Sequence, residues 1–242
     1  MFKPRILQTL SRSLKRTEVI IGALFVTLCL VYSSSASAAG EPIGIIGAGS
    51  VGTTLAQLWI KSGHPVMISS RNPGNIRSEA QQIGAKAGTP EQAAHFGQVI
   101  VTAVPFGALP AVGKEVGSLI KSKVVIDPSN PYPGRDGTLA RQALSTSSGQ
   151  VSAKALGNSH VVRAFNVLAM GTLSSEAGHG IGIPIASDDR HALKIASQLV
   201  RDAGFVPVVA GGLSKSHLFD PSSSVFLNPQ SASQLGSALH AN

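Results

Sequence analysis

Cysteine is almost missing from this sequence, whose single thiol, Cys29, lies in an apolar stretch near the N-terminus. The chain after residue 40 therefore lacks what a disulfide, a thiol nucleophile or a thiolate metal site requires. The seven histidines show no H-x-x-x-H or similar ligand spacing, so we predict no metal site. Aromatic residues are scarce at 5%, and no cluster of lysine and arginine follows residue 40, so we predict no nucleic-acid partner.

The first 40 residues have the pattern of a targeting segment. A basic stretch at residues 3–16 precedes a 14-residue apolar run, "VIIGALFVTLCLVY", at residues 19–32. This run is shorter than the roughly 20 residues that span a bilayer comfortably. Ala36-Ser37-Ala38 then fits a signal-peptidase site. We predict a signal peptide over residues 1–39, which makes the mature protein periplasmic or extracellular. An uncleaved membrane anchor is the alternative, and it would be the chain's only contact with a membrane.

The rest of the chain is long enough for one domain. Without the leader, which holds five basic and one acidic side chain, the net charge falls from +8 to +4. About 200 residues then remain, which suffice for a sizeable α/β core. We predict a domain over residues 40–221. A polar tail, residues 222–242, is expected to be loop-rich and to fray after about residue 230.

Strand and helix patterns alternate along that domain. Short apolar runs predict strands at residues 43–46, 65–69, 98–104, 123–127, 161–165, 183–186 and 205–209, with a weak strand or turn at 84–88. Helical patterns follow at residues 51–59, 74–83, 109–120 and 188–203, and Thr89-Pro90-Glu91 resembles a helix start. "DPSNPYPGRDG" reads as turns, and residues 138–157 are ambiguous, with "STSSGQ" as a surface loop. This alternation predicts an α/β fold with a Rossmann-type, doubly wound, mostly parallel sheet in a single domain.

The first strand runs into a glycine-rich turn, Gly47-Ala48-Gly49-Ser50-Val51-Gly52, which fits G-x-G-x-x-G. The first glycine permits a tight strand-to-helix turn, the second lets a pyrophosphate approach the backbone, and the third lets the helix pack on the strand. The free N–H groups of the helix N-terminus favour phosphates. A plain glycine turn is the alternative, but the strand before and the helix after are the context that dinucleotide binding requires.

The end of the second strand indicates which dinucleotide binds. NAD enzymes usually place an acid there for the ribose 2′-hydroxyl, whereas this sequence has Ser69-Ser70-Arg71-Asn72, with no acid before Glu79. The arginine fork suits a phosphate, and neighbouring hydroxyls add hydrogen bonds. We therefore predict NADP(H) as the cofactor. A solvated loop charge is the alternative for Arg71.

Four stretches together resemble one family. "IGIIGAGSVG", "ISSRNP", "VIDPSNPYP" and "VVRAFNVL" occur in the order and spacing of the coenzyme F420-dependent NADP oxidoreductases, over roughly residues 43–221. The cytosolic domain of the STEAP metalloreductases is similar. "SSRNP" followed far downstream by "AFN" is fairly specific, whereas the glycine motif alone is not.

The resemblance implies a role for each matching stretch. Ala164, Phe165 and Asn166 would lie beside the nicotinamide and the second redox cofactor, with Phe165 and Asn166 only positioning the reactants. Core packing is the alternative for Phe165, and a plain turn for Asn130, which would help to close the pocket. The implied phosphate and cleft contacts are Gly49, Ser50, Val51 and Gly52 for the pyrophosphate, Ser70 and Arg71 for the 2′-phosphate, and Val104, Pro105 and Phe106 along the path from adenosine to nicotinamide.

The implied reaction is hydride transfer between NADP(H) and a flavin or deazaflavin, for which F420, FMN and FAD are the options. Catalysis would be mainly positioning, so no acid–base residue is expected. The polar chain after Pro221 lacks a clear apolar continuation to wall off a deazaflavin. One alternative is a non-catalytic NADP-binding sensor or docking module, and a less favoured one is an imine or β-hydroxyacid reductase, which usually appends a long helical dimerisation domain. The sequence leaves the oligomeric state open between a monomer and a homodimer.

Overall fold

The computed structural model describes residues 40–157 and 159–240. The signal peptide or anchor predicted for residues 1–39, with Cys29, lies outside the described residues. Across the range that is described, each helix is too short or too polar to cross a bilayer.

A single sheet of eight strands organises the described chain. Its order is β3-β2-β1-β4-β5-β6-β7-β8, and every neighbouring pair is parallel except β6 and β7. The strands are β1 (Ile43–Ile46), β2 (Val66–Ser69), β3 (Lys86–Gly88), β4 (Val99–Thr102), β5 (Val124–Asp127), β6 (His160–Arg163), β7 (Gly182–Ala186) and β8 (Val206–Gly211). The predicted α/β fold with a Rossmann-type, mostly parallel sheet is therefore confirmed.

Helices connect the strands and cover the sheet. They are α1 (Ser50–Lys61), α2 (Arg77–Ile83), α3 (Pro90–Phe96), α4 (Leu109–Ile120), α5 (Pro133–Ser145), α6 (Ser148–Ala155), α7 (Met170–Ser175), α8 (Arg190–Asp202) and α9 (Ala232–His240). The predicted start of α3 is confirmed, because Thr89 and Gln92 form a reciprocal capping box and Pro90 opens the helix.

Alternating strand residues explain why both faces of the sheet are covered. In β4, Val99 and Val101 belong to one apolar cluster, and Ile100 belongs to a second. Successive strand side chains point to opposite faces, so the two clusters lie on opposite sides of the sheet. Trp59 of α1 and Leu199 of α8 pack in the first cluster, and Val116 of α4 packs in the second. This two-sided burial produces the continuous apolar runs seen in the sequence.

Three predicted boundaries are wrong. The turn-rich run "DPSNPYPGRDG" contains the start of α5, which begins at Pro133 and tolerates a non-helical residue at Gly137. The "STSSGQ" segment contains the start of α6, because the Ser147 side chain accepts a hydrogen bond from Gln150 N and caps the helix. The sixth strand ends at Arg163 rather than at residue 165, where Phe165 adopts a left-handed φ of 64°.

The C-terminal segment is ordered, contrary to the predicted fraying after residue 230. Helix α9 packs against β7 and β8, and its Leu235 and Leu239 are buried. Gly182 N also donates to Gln230 O at 2.9 Å, which pins the approach to the helix. Two leucines one turn apart among serine, alanine and glycine are a weak periodic signal, so only the tertiary contact reveals the helix.

Candidate functional site

Two adjoining clefts open where the parallel strands end at their carboxyl edge. The Arg71 cleft, about 430 Å³, is lined by Ile46, Gly47, Ala48, Ser69, Ser70, Arg71, Ile76, Pro90, Val104, Pro105, Ala108, Ala111, Val112 and Glu115. The Leu227 cleft, about 370 Å³, is lined by Gly49, Ser50, Val51, Ala103, Val104, Pro105, Pro128, Ser129, Asn130, Tyr132, Arg135, Leu168, Ala169, Met170, Phe226 and Leu227. Val104 and Pro105 line both clefts, as expected for ligands that bind outside the carboxyl ends of an open α/β sheet.

The glycine-rich turn between β1 and α1 is shaped by close backbone contacts. Gly47 has a φ of +111°, and a Cβ there would lie 2.3 Å from Ala103 O. A Cβ at Gly52 would lie 2.6 Å from Gly47 O, so this glycine lets the helix pack on the turn. Gly49 differs, because no atom lies within 4 Å of a Cβ placed there. Its missing side chain leaves space on the outside of the turn, where a ligand can approach the backbone.

The N-terminus of α1 is available to an anion. Gly49 occupies the cap position without a side-chain hydrogen bond, and no acidic residue lies in the first turn. First-turn N–H groups have no partners within a helix, and the helix dipole adds partial positive charge there. Ser50 and Val51 are partly or fully exposed and line the Leu227 cleft beside Gly49. Backbone donors and an open approach thus meet at one point, which fits a phosphate group.

The end of β2 presents polar groups that the protein itself leaves unpaired. The Ser69 hydroxyl is buried and has no hydrogen-bond partner among the described residues. Arg71 is exposed, and its guanidinium makes no ion pair with any side chain in the part of the chain that the structure describes. Ser70 Oγ accepts a hydrogen bond from Asn72 N at 3.2 Å, which shapes the turn. Asn72 itself does not line the cleft.

The opposite wall of the Arg71 cleft carries one carboxylate. Glu115, an exposed residue of α4, lines this cleft together with Ala111 and Val112. The sequence-based prediction considered only the acids that follow β2 along the chain. Glu115 belongs to α4, which follows a later strand. Its distance from β2 in the sequence therefore gives no sign that it lines this cleft.

The Leu227 cleft combines apolar walls with a few polar groups. Leu168 and Met170 line it from the segment after β6, and Phe226 and Leu227 line it from the segment before α9. Ser129 also lines it, and the Ser129 hydroxyl is buried without a partner within residues 40–157 and 159–240. The expectation that no apolar chain follows Pro221 to wall the pocket is therefore wrong. Phe226 and Leu227 provide that wall from a segment that is otherwise polar.

Asn130 and Asn166 join the two loops beneath this cleft. Asn130 Nδ2 donates to Asn166 O at 2.8 Å, and Asn166 Nδ2 donates to Asn130 Oδ1 at 3.2 Å and to Phe219 O at 3.0 Å. Asn130 lines the cleft, whereas Asn166 is 2% exposed and lies behind it. Both asparagines therefore fix loop positions, and Asn130 also contributes to the cleft surface.

Three residues that the resemblance places beside the cofactor lie in the protein core. The Phe165 ring is 1% exposed and packs edge-on against Trp59 and Phe205, with ring centroids 5.8 and 6.3 Å away. Ala164 and Phe106 are fully buried. The core alternative considered for Phe165 describes its side chain, and the left-handed backbone of Phe165 turns the chain from β6 toward the cleft.

Asp136 ties together two loops that border the clefts. It accepts hydrogen bonds from Gly107 N at 3.0 Å and Tyr132 N at 2.9 Å, and it pairs with the Arg135 guanidinium at 2.8 Å. Partial desolvation raises the pKa of Asp136, but these hydrogen bonds outweigh it and hold the pKa below the ordinary value. Asp136 therefore stays ionised at neutral pH and keeps Arg135 at the cleft rim.

A buried charged cluster supports the Leu227 cleft from below, and its assembly was not predicted from the sequence. The Arg163 side chain is fully buried at the end of β6, where Nη1 contacts Asp127 Oδ2 at 2.8 Å and donates to Asp127 O at 2.8 Å. Nη2 donates to Ser129 O at 2.6 Å and lies 3.7 Å from Asp220 Oδ1. Arg163 thus holds the loop that carries Ser129 and Asn130.

Hydroxyls complete this cluster. Asp127 accepts hydrogen bonds from Thr102 Oγ1 at 3.3 Å, Ser129 N at 3.0 Å and the Ser152 hydroxyl. Asp220 accepts from Ser148 N at 3.1 Å and from the Ser148 hydroxyl. Burial raises the pKa of Asp220, although the nearby charge of Arg163 opposes that rise. The aspartate at the end of β5 and the arginine at the end of β6 were the available signals, since adjacent parallel strands place their ends side by side.

Comparison with known proteins finds sequence similarity to NADP oxidoreductases. Residues 42–131 match the family model described as NADP oxidoreductase, coenzyme F420-dependent. The F420-dependent NADP reductase of Methanothermobacter marburgensis is 28% identical over 198 residues, which cover 75% of this chain and 88% of that reductase. The metalloreductase STEAP3 of Rattus norvegicus is 27% identical over 178 residues, which cover 72% of this chain but 34% of STEAP3.

A solved structure extends the likeness to the fold. A candidate F420-dependent NADP reductase of Arthrobacter sp. FB24 superposes with a TM-score of 0.63 at 19% identity, over 74% of this chain and 88% of that one. This identity is low, so the superposition bears on the fold alone. The sequence matches carry the likeness, and the resemblance predicted from the motifs is confirmed: this chain is similar to the coenzyme F420-dependent NADP oxidoreductases, whose family model matches residues 42–131.

Proposed function

We propose that the Arg71 cleft and the turn at Gly49 bind NADP(H), with the 2′-phosphate against Arg71. The observation that carries this proposal is a buried hydroxyl without a partner next to an exposed guanidinium without an ion pair, at the end of β2 in the described residues. The Ser69 hydroxyl is buried without a partner, and the Arg71 guanidinium has no ion pair among the described residues. Unpaired buried hydroxyls are costly in a folded protein and therefore point to a missing partner. A phosphate accepts hydrogen bonds from both a hydroxyl and a guanidinium.

The glycine turn supports the same proposal. The open side of Gly49 and the uncapped start of α1 would accept the pyrophosphate. The dinucleotide would then pass over Val104 and Pro105, which line both clefts, and its nicotinamide end would enter the Leu227 cleft. Bound there, NADPH supplies a hydride.

We further propose that the Leu227 cleft accepts a flavin or deazaflavin ring, with F420, FMN and FAD as the candidates. Apolar surface from Leu168, Met170 and Phe226 suits a flat ring, and the Ser129 hydroxyl, which has no partner among the described residues, suits its polar edge. The charged groups that line this cleft need no role as acid or base, because Arg135 is already paired with Asp136. The protein would act by holding two rings in contact and excluding water.

NADPH oxidation by the full chain under anaerobic conditions tests this proposal. F420, FMN and FAD are supplied in parallel, and NADH serves as the control donor. We expect rapid oxidation of NADPH with at least one acceptor. We expect Ser129→Ala to raise the acceptor KM about three- to tenfold, the worth of one neutral hydrogen bond. Ser237→Ala, which changes an exposed serine on α9, should leave the rate unchanged.

Binding without turnover would contradict the proposed reaction. If NADPH binds tightly and no acceptor is reduced, the chain is a non-catalytic NADP-binding module. If neither nucleotide binds, the proposal for the Arg71 cleft fails as well.

A further inference from the structure

Two non-glycine residues among those described have a positive φ, and both belong to segments that border the Leu227 cleft. Phe165, with φ 64°, opens the segment that leads to Leu168 and Met170, and Leu227, with φ 56°, lies directly on the cleft. Left-handed backbone crowds the Cβ of any residue other than glycine, and asparagine tolerates it best among the others. A leucine in this conformation therefore needs an explanation.

The backbone around Leu227 is held from several directions. Leu227 N donates to Val167 O at 2.8 Å, which links the two segments that wall the cleft. Two residues earlier, Val225 is 2% exposed and belongs to the first apolar cluster. Three residues later, Gln230 O accepts a hydrogen bond from Gly182 N. The fold thus requires a left-handed residue at position 227, but it does not require a leucine.

Burial in the core does not account for the leucine. Its side chain is 54% exposed, whereas Phe165, the other left-handed residue, is 1% exposed and packs between two aromatic rings. Glycine or asparagine would fit the Leu227 backbone with less crowding. What the leucine adds is apolar surface inside the cleft, whose lining also includes Phe226 and Met170.

We infer that Leu227, backed by Phe226, is a specificity-determining residue that packs against the planar ring of the electron acceptor. This inference rests on the proposed function. Strained residues persist where the surrounding structure enforces them, and they concentrate at binding sites. The leucine is retained at this position because an apolar contact in the cleft is needed, at the expense of folding stability.

The test distinguishes a contact between Leu227 and the acceptor ring from a purely structural role of Leu227. Leu227→Asn and Leu227→Gly keep a backbone that tolerates positive φ and remove the apolar wall. Leu227→Met keeps the wall and the strain. Leu144→Asn is the matched control, because Leu144 is another exposed leucine and lies on α5 outside the cleft lining. Each variant of the full chain is measured for the acceptor KM with FMN and with F420, for the Kd of NADPH, and for its Tm.

We expect Leu227→Asn and Leu227→Gly to raise the acceptor KM at least tenfold. Their Tm should be equal to or above that of the parent, and the Kd of NADPH should stay within twofold. Leu144→Asn should keep the parent KM, and Leu227→Met, which keeps an apolar wall, should raise it far less than Leu227→Asn does.

An unchanged acceptor KM in Leu227→Asn would overturn the inference while leaving the proposed reaction intact. So would a lower Tm accompanied by weaker NADPH binding, because that pattern is the signature of structural support. A parent that neither binds nor reduces any acceptor would instead overturn the proposed function, and the inference with it.

Discussion

The Arg71 cleft and the Leu227 cleft share two wall residues but are built in different ways. In the Arg71 cleft, the groups that we assign to the nucleotide come from one turn and one strand end, residues 46–48 and 69–71, although later elements complete the lining. The Leu227 cleft gathers residues from five separate stretches, 49–51, 103–105, 128–135, 168–170 and 226–227. Its loops are fixed from below by the buried Arg163 cluster. The groups that we assign to the nucleotide are encoded by short motifs, whereas the cleft that we propose for the second reactant depends on long-range contacts.

Removal of Arg163 should cause the largest loss of stability, because Arg163 holds the loops of the Leu227 cleft. Arg163→Ala leaves Asp127 and Asp220 buried without their cation, which costs about 3–5 kcal/mol of unfolding free energy. Urea unfolding followed by the fluorescence of Trp59, the only tryptophan, measures this loss. Arg201→Ala, at an exposed arginine of α8, should change stability by less than about 0.5 kcal/mol. A loss below about 1 kcal/mol for Arg163→Ala would show that the cluster does not hold the loops.

Two glycines of the turn between β1 and α1 should separate an effect on folding from an effect on NADPH binding. Gly47→Ala should cost about 2–4 kcal/mol, because the backbone is left-handed and the Cβ would meet Ala103 O at 2.3 Å. Gly49→Ala should leave the unfolding free energy within about 0.5 kcal/mol, because open space surrounds that position. The same change should weaken NADPH binding more than about tenfold, which is about 1.4 kcal/mol. Isothermal titration and urea unfolding of both variants test this, and equal NADPH affinity in Gly49→Ala and the parent would remove the pyrophosphate from this turn.

The contrast between the clefts also explains which features could be predicted from the sequence. Gly47, Gly49 and Arg71 act through their own backbone conformation or their place at a strand end, so a pattern within 30 residues identifies them. Arg163 sits at the end of an ordinary strand pattern, and its partner Asp220 lies 57 residues further along the chain. No local periodicity signals such a pair.

Side-chain direction is the second reason why some residues were misplaced. Phe165 lies in a stretch that resembles the family, yet its left-handed backbone turns the ring into the core. Val225, Phe226 and Leu227 stand in a polar stretch of serine, asparagine and proline, where three apolar residues predict no element. Their role emerges only because Val225 and the Leu227 N–H dock this segment against the loop after β6.

The pH dependence of stability should report on the buried cluster. Burial raises the pKa of Asp220 above its unfolded value, so the folded state binds this proton more tightly. The contribution of Asp220 to stability therefore increases as the pH falls through the folded pKa toward the unfolded value near 4. The unfolding free energy of the parent should rise relative to that of Asp220→Asn between pH 7 and about 4.5. A difference that does not vary with pH, or one with the opposite slope, would contradict the assigned shift.

The smallest effect is expected from the carboxylate on the far wall of the Arg71 cleft. Glu115→Gln removes a negative charge from the cleft that we assign to the 2′-phosphate, and NADPH affinity should rise about two- to threefold at low salt. This gain should vanish near 1 M salt, where the Debye length is about 3 Å. Glu41→Gln, at an exposed acid outside the cleft lining, should show no gain. Weaker binding in Glu115→Gln would mean that the carboxylate accepts a hydrogen bond from the nucleotide.

The affinities of NADPH and NADH for the parent and for Arg71→Ala test the central claim most directly. These ligands differ only in the 2′-phosphate, so the four dissociation constants isolate its interaction with Arg71. We expect the parent to prefer NADPH, and Arg71→Ala to weaken NADPH binding about 10- to 100-fold, the worth of a charge-assisted hydrogen bond. NADH affinity should stay within about twofold, and Arg77→Ala, an exposed arginine outside the cleft lining, should behave as the parent does. Equal losses for NADPH and NADH in Arg71→Ala, or no loss for either, would contradict the assignment of this cleft to NADP(H).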